Sequence, residues 1–482
     1  MDGAAPVVSF ADLIFHHALS RPEKPAIVLP DRVVTYGMMA QGISSVQARL
    51  RALGLPPGAL VCLSLDSQIR QMIVGAALFR LGHPVLLATH PEHIVPLHLG
   101  VAALLHGPGI SLIPGQRHVV IDDDWFAGAA QCAAASPPQG FAAESDICCV
   151  ALSSGTTGRP KAISLTIKAF QQWVMNYYST LGYGSWERLL MLVGLSSSWG
   201  FTLAAHALFA GRTLVFAANP RESLHMIGMY GADAMVASSV QLRELVIEQT
   251  RAPVPCPSLR TILTGGGLLS LALIAEARAK LCSGIVILYG STEAGGTAFA
   301  TSDRLIAVEG AIGFVAPWAE VEIVGEDGSR VPPGADGIVR IRATCQGAPY
   351  PPGADNPSFR DGWFYPGDLG HMGNDGLMVL AGRTSDIINV GGLKLAPETI
   401  EEVLCEHPAV NEAAAFGNFG EAGIEEISVA LVANRPVAES HLIDWCARRN
   451  IPVRRVFVVE ALPKTASGKI HRDLLKRQLA GG

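Results

Sequence analysis

Residues 153–161 read SSGTTGRPK, and the hydroxyls, glycines and closing lysine are the residue types that wrap a polyphosphate. Gly/Ser/Thr clusters also mark ordinary surface loops, and taken alone the stretch reads either way. Its context favours an anion, because the apolar run Ile147–Leu152 before it has the length and composition of a buried strand. A strand emptying into Ser153, Ser154, Gly155, Thr156, Thr157 and Gly158 presents backbone N–H groups and hydroxyls together, and Lys161 adds positive charge. The Walker pattern needs Gly, four residues, then Gly-Lys-Ser/Thr. The spacing from Gly155 to Lys161 does not fit it, which excludes the usual phosphate loop of kinases and GTPases.

Such a loop needs a sheet to hold it. From residue 26 to about 380, short β-branched runs such as AIVL, LVCLSL, TLVFAA and IVILYG alternate with longer helix-like segments. That alternation predicts an α/β architecture with largely parallel sheets. Residues 310–380 change character: EVEIVGEDGSRVPPGADGIVRIRA reads as two strands around an EDGS turn, a small β-rich subdomain. After Arg383 the chain starts afresh with strands and helices of its own and ends in the basic, helix-like HRDLLKRQLA, so a second, smaller α/β domain is expected there.

At 482 residues the chain is long enough for two or three domains. No run of about 18 uninterrupted apolar residues appears, and the N-terminus lacks a basic stretch followed by an apolar one. No membrane insertion and a cytoplasmic location are the expectations. A net charge of −6 without Lys/Arg blocks argues against nucleic acid and anionic membrane surfaces and favours small-molecule partners. The nine cysteines are scattered and form no CxxC pair, which speaks against a zinc site or a disulfide framework.

Four further islands follow SSGTTGRPK: LYGSTEAGG (Leu288 to Gly296), GWFYPGDLG (Gly362 to Gly370), GRTSDIINVGGLKLAPETIE (Gly382 to Glu401) and LPKTASGKIHR (Leu462 to Arg472). In this order they resemble the adenylate-forming superfamily of acyl-CoA synthetases, nonribosomal adenylation domains and luciferases, and most of all a stand-alone acid–CoA ligase. The resemblance covers nearly the whole chain, since RPEKPAIVLPDRVVTY and GAIGFVAPWAEVEIV also look like family segments. It implies that the loop holds the β- and γ-phosphates of ATP while a carboxylate attacks the α-phosphorus. It implies an N-terminal ATP- and acid-binding domain over 1–383, a hinge at 384–389 and a mobile C-terminal lid at 390–482.

By the same resemblance, Ser153, Ser154, Gly155, Thr156, Thr157, Gly158 and Lys161 grip the pyrophosphate portion, within an ATP site that takes in Gly290 and Ser291. Thr292 reaches the α-phosphate and Glu293 holds Mg²⁺, a hard cation that needs only one or two carboxylates beside phosphate oxygens and water. Tyr289 stacks on adenine, and Gly265, Gly266 and Gly267 let the backbone approach the purine. Asp368 accepts from the ribose hydroxyls, with Arg383 beside it. Lys469, on the C-terminal domain, bridges substrate carboxylate and α-phosphate as charge builds between them. After rotation of that domain, Gly391, Gly392 and Lys394 line the channel of the thiol, which belongs to coenzyme A or to the phosphopantetheine of an acyl carrier protein. A homodimer is compatible with all of this. Pro366, Ala162, Ser385 and Asn389 depart from the family pattern, and Ser385 falls at the hinge.

The acid pocket is expected at GLSSSWGFTLAAHALFAG, around Ser197, Ser198 and Trp199. Amino-acid-activating relatives place an Asp here to pair the substrate ammonium; this segment has no acidic residue. Trp199 either walls off the pocket or packs in the core. Burying an ammonium without a counter-charge costs several kcal/mol even after relaxation. Apolar carboxylates are therefore expected to release pyrophosphate at least about a hundredfold faster, in kcat/KM, than α-amino acids of matched shape, a difference near 2.7 kcal/mol. Phenylpropionate against phenylalanine is the direct comparison. Equal rates would mean that an acidic partner enters the pocket from elsewhere in the chain.

Overall fold

The computed structural model describes residues 7–479 apart from 89, 111–112, 127–139, 154–160, 181–185, 268, 305–307, 309, 384–387, 391–392, 396, 420–424 and 465–469. Its class is the α/β one that the alternation predicts. A seven-stranded sheet runs parallel through Val61–Ser64, Val85–Leu87, Ala103–His106, His118–Val120 and Ile147–Ser153, then turns antiparallel at Lys161–Thr166. The larger sheet has a parallel centre made of Pro25–Leu29, Thr213–Phe216, Arg188–Met191, Ala234–Ser238, Thr261–Gly265 and Gly284–Ser291. These central strands are buried, β-branched or apolar runs, as strands covered on both faces must be.

The larger sheet changes direction after Gly284–Ser291. Gly295–Thr301 folds back antiparallel on it, and Ala311–Val315, Leu377–Arg383 and Asp368–Met372 follow, each antiparallel to the last. The β-rich part read at 310–380 thus has its own core of Ile323, Val339, Ile341, Phe364 and Met378, yet it hydrogen-bonds directly onto the large sheet. That continuity brings Asp368 and Arg383 to the parallel strands' carboxyl ends.

Between the sheets, four helices contribute one phenylalanine each to a single cluster: Phe10, Phe79, Phe170 and Phe201, with ring centroids 5.1–6.1 Å apart. Helix Ser198–Phe209 is almost entirely apolar and almost entirely buried, so its position is fixed by packing on every side. Its start is fixed by Ser197, whose hydroxyl accepts from the Gly200 N–H at 3.0 Å and donates to the Gly194 carbonyl at 2.8 Å.

Beyond residue 387 the core is drawn from a separate set of residues, including Ile400, Leu404, Ala415, Val429, Leu442 and Val453. They lie on Val410–Phe419, Glu425–Ala433 and Val453–Val458 and on helices Pro397–Cys405 and Glu439–Ala447. Among the described residues no helix is long and apolar enough to cross a membrane.

His206 shows how tightly helix Ser198–Phe209 is enclosed. Its side chain is fully buried, Nδ1 lies 2.9 Å from the Val174 carbonyl, and the Trp186 ring sits 5.6 Å away. Burial, helped by the charge of Arg212, pushes its pKa from 6.5 down to about 3. The unfolded chain then binds the extra proton between those values, so stability is full above pH 6.5 and falls as pH drops toward 3. Between pH 7.5 and 5 the loss attributable to this residue is about 2 kcal/mol. His206→Asn keeps a donor for Val174 and removes the titration. The stability difference between wild type and variant, measured by denaturant unfolding, should shift by about that amount between the two pH values, whereas a constant difference would place the imidazole in contact with water.

Candidate active site

Strands Thr261–Gly265 and Gly284–Ser291 are parallel neighbours, and the residues that follow them meet at one end of the sheet. Gly265 is obligatory here, because an added Cβ would lie 2.4 Å from the Leu288 carbonyl oxygen; Gly266 adopts φ +81°, which a side chain would strain. A Cβ at Gly267 would sit 2.6 Å from the Ser239 hydroxyl, at the start of helix Ser239–Arg251. Each glycine of this loop therefore has a packing reason of its own. The Ser291 hydroxyl accepts from the Ala294 N–H at 3.0 Å and shapes the turn that presents Thr292 and Glu293.

Three groups gather at this end of the sheet. Thr292 Oγ1 lies 3.2 Å from Ser198 Oγ, so the first residue of helix Ser198–Phe209 touches the end of strand Gly284–Ser291. Trp199, partly buried, lies against Gly266. On the other side, the Tyr289 hydroxyl donates to Asp368 Oδ2 at 2.5 Å, while Arg383 Nε donates to Asp368 Oδ1 at 3.1 Å. Asp368 and Arg383 are register partners on adjacent strands, which fixes this pair. Burial, reinforced by the Asp368 carboxylate, raises the Tyr289 phenol well above its ordinary value, so it stays a neutral donor. An ionised carboxylate has about four lone-pair sites, and with two filled by Tyr289 and Arg383, Asp368 keeps room for two more donors.

Glu293 is the least compensated charge in the group. It is 8% exposed, and among the described residues its carboxylate takes no hydrogen bond and no ion pair. No cluster of three or more His, Cys, Asp or Glu suited to a metal exists among the described residues. One carboxylate fits a Mg²⁺ that takes its other ligands from phosphate and water.

The Lys161 ammonium donates to Asn356 Oδ1 at 3.2 Å and to Ser358 Oγ at 3.3 Å, on the loop PYPPGADNPSFRDGW (residues 349–363). Asn356 and Ser358 carry no motif, and their part was invisible in the sequence. Ser153 and Lys161 are register partners, so the segment between them is closed at its base; Ser154, Gly155, Thr156, Thr157 and Gly158 lie outside the described residues. So do Gly391, Gly392, Ser385 and Lys469, and the same holds for the side chain of Lys394.

The flanks of Lys469 are described. Lys464 and Ile470 form an antiparallel bridge. Lys464 Nζ lies 3.3 Å from Glu244 and 3.0 Å from Glu412, which ties the C-terminal core to helix Ser239–Arg251. Arg472 reaches Glu401 at 2.6 Å and the Ala415 carbonyl at 3.2 Å. Burial raises the Glu401 carboxyl to about 7 against the opposing pull of Arg472.

Sequence reasoning also missed an aromatic cluster packed against Leu288, Gly295 and Gly296. Trp173, Tyr177 and Trp318 line a narrow cleft with Leu288 and Gly296. The Trp173 indole donates to the Cys345 carbonyl at 2.9 Å and blocks any Cβ at Gly295, and the Trp318 indole donates to the Gly296 carbonyl at 2.8 Å. Trp173 sits on an ordinary amphipathic helix, Ile167–Thr180, where one aromatic at core spacing carries no functional signal.

Comparison with known proteins places this geometry in a family. Residues 14–350 match the AMP-binding enzyme model and residues 399–469 match the AMP-binding enzyme C-terminal domain model. The 2-succinylbenzoate–CoA ligase of Bacillus subtilis is 26% identical over 479 residues, covering 96% of this chain and 97% of the relative. The indoleacetate–CoA ligase of Aromatoleum aromaticum is 26% identical over 519 residues, covering 98% of both. The structure of the Bacillus subtilis o-succinylbenzoate CoA synthetase in complex with its acyl-adenylate intermediate superposes with a TM-score of 0.83 at 25% identity, covering 96% of this chain and 98% of that one. An anthranilate CoA ligase in complex with anthranoyl-AMP shares the fold, with a TM-score of 0.85 at 22% identity over 99% of each chain. With more than half of its length matched by the family model and its C-terminal part by the companion domain, this chain belongs to the AMP-binding enzyme family.

Proposed function

We propose that this protein is an AMP-forming ligase that activates an apolar, aryl or short-to-medium acyl, carboxylic acid with ATP and passes the acyl group to the thiol of coenzyme A. In the first step an oxygen of the acid attacks the α-phosphorus and pyrophosphate leaves. In the second, the thiol sulfur attacks the acyl carbon, its proton is lost, and AMP leaves. The observation that carries this reading is the Tyr289–Glu293 turn, whose flanking hydrogen bonds reach the Asp368 carboxylate on one side and Ser198 on the other. A ribose at Asp368 and an acid beside Ser198 would then meet at Thr292.

The residues divide the work by charge. Asp368, held by Tyr289 and Arg383, binds the ribose; Thr292 donates to the α-phosphate; Lys161, with Asn356 and Ser358 beside it, faces the pyrophosphate. Glu293 holds Mg²⁺, which, when bound, neutralises phosphate charge. A flat acid would be in keeping with the aryl acids named for the relatives. Burying such a ring gains about 25 cal/mol for each Å² of apolar surface removed from water. The division into 1–383, a hinge at 384–389 and a lid at 390–482 is supported by the separate core beyond residue 387 and by the polar character of the contacts that cross between the two parts, Lys464 to Glu244 and Arg243 to the Asn411 carbonyl.

Pyrophosphate release across a carboxylic acid panel, with ATP and Mg²⁺ and without thiol, tests the activity; coenzyme A against a phosphopantetheinylated carrier protein then identifies the acceptor. Lys469→Ala should lower adenylate formation by two to three orders of magnitude, the effect of losing a donor to a developing anion worth about 2.7–4 kcal/mol. Thioester formation from supplied acyl-adenylate should be spared. Equal damage to both half-reactions would remove Lys469 from the first step.

A further inference from the structure

We infer that Ser198 is a positioning residue for the first half-reaction, acting through Thr292 rather than on the acid; the inference rests on the function proposed above. The two hydroxyl oxygens are 3.2 Å apart, and Ser198 is buried. A hydroxyl has one proton to give. Once Thr292 spends its proton on an α-phosphate oxygen, the bond to Ser198 is kept only with Ser198 as the donor. The direction of the chain is then fixed: Ser198 to Thr292, Thr292 to phosphate. Each bond polarises the next, which strengthens the donation to an oxygen that gains negative charge.

The backbone around Ser198 is built to hold that hydroxyl still. Ser197 clamps the turn before it by bonds to Gly194 and Gly200. Gly200 has no room for a side chain, since a Cβ would lie 2.2 Å from the Gly194 carbonyl oxygen. Thr202, itself buried, donates to the Ser198 carbonyl at 2.7 Å. Helix Ser198–Phe209 is locked in the core by Phe201 and its three partner rings. A side chain on such a support has almost no rotamer freedom left to lose when the nucleotide binds. The same position that lacks an acidic residue for a substrate ammonium therefore serves the phosphate side of the site.

The test is a double-mutant cycle of Ser198→Ala and Thr292→Val, with Ser198→Thr as the variant that keeps the hydroxyl. Acid-dependent pyrophosphate release should lose about tenfold in kcat in Ser198→Ala, the equivalent of about 1.4 kcal/mol, with the KM for the acid unchanged. Ser198→Thr should stay within about threefold of wild type, and Ser198→Ala should cost nothing further in the Thr292→Val background. A raised acid KM with unchanged kcat, or losses that multiply in the double variant, would overturn the inference. So would Ser198→Thr proving worse than Ser198→Ala, which is the order expected of packing alone. Absence of pyrophosphate from the wild type with every acid would instead defeat the underlying function. The hydroxyl pair is then judged by Mg·ATP binding, which the two single changes must weaken non-additively, and additive weakening would again overturn it.

Discussion

Glu293, a nearly buried carboxylate with no hydrogen bond or ion pair among the described residues, is the group around which this site is arranged. It stands on a turn where the large sheet changes from parallel to antiparallel. A single carboxylate so placed is open to a hard cation that takes its other ligands from phosphate and water. Gly266 leaves exposed backbone at this end of the sheet, Thr292 offers a proton, and Asp368 keeps acceptor capacity to spare. The strand reversal matters because it carries Asp368, with Arg383 paired to it, from far along the chain to within hydrogen-bond reach of Tyr289.

The parts of this arrangement that were legible in the sequence are those with a local signature. Buried strands announce themselves as apolar runs, and the islands around Tyr289, Asp368 and Lys469 identify the family by residue type and order. The α/β class followed from alternation alone. What stayed hidden is contact between segments with no shared spacing. The residues that hold the Lys161 ammonium, Asn356 and Ser358, lie nearly two hundred residues on. Trp173 and Trp318 come together at Leu288 and Gly296, but each reads locally as an ordinary core aromatic. The β-rich stretch at 310–380 looked self-contained because its strands alternate by themselves; pairing between Gly295–Thr301 and Ala311–Val315 joins it to the large sheet, and no local pattern encodes that register.

Ser198 illustrates a different limit. Its identity was read through what it lacks, a carboxylate for an ammonium, whereas its position gives the hydroxyl a partner of its own in Thr292. The two readings agree on the acid, since a neutral hydroxyl, whatever its partner, brings no counter-charge to a substrate cation. They also link the two sides of the site mechanically. A helix fixed by four phenylalanine rings and by a neutral buried histidine transmits its position directly to Thr292, the residue proposed to meet the α-phosphate. Packing in the centre of the molecule and alignment at phosphorus are thus one problem.

The central claim is that Glu293 holds the metal that accompanies ATP, and calorimetric titration of ATP with and without Mg²⁺, in the absence of acid, addresses it most directly. Wild type should bind ATP at least about tenfold more tightly with Mg²⁺, a gain of about 1.4 kcal/mol. In Glu293→Gln most of that gain should vanish, while metal-free ATP binds as well as before or better, because a negative charge has been removed beside the phosphates. An undiminished Mg²⁺ effect in Glu293→Gln would contradict the account.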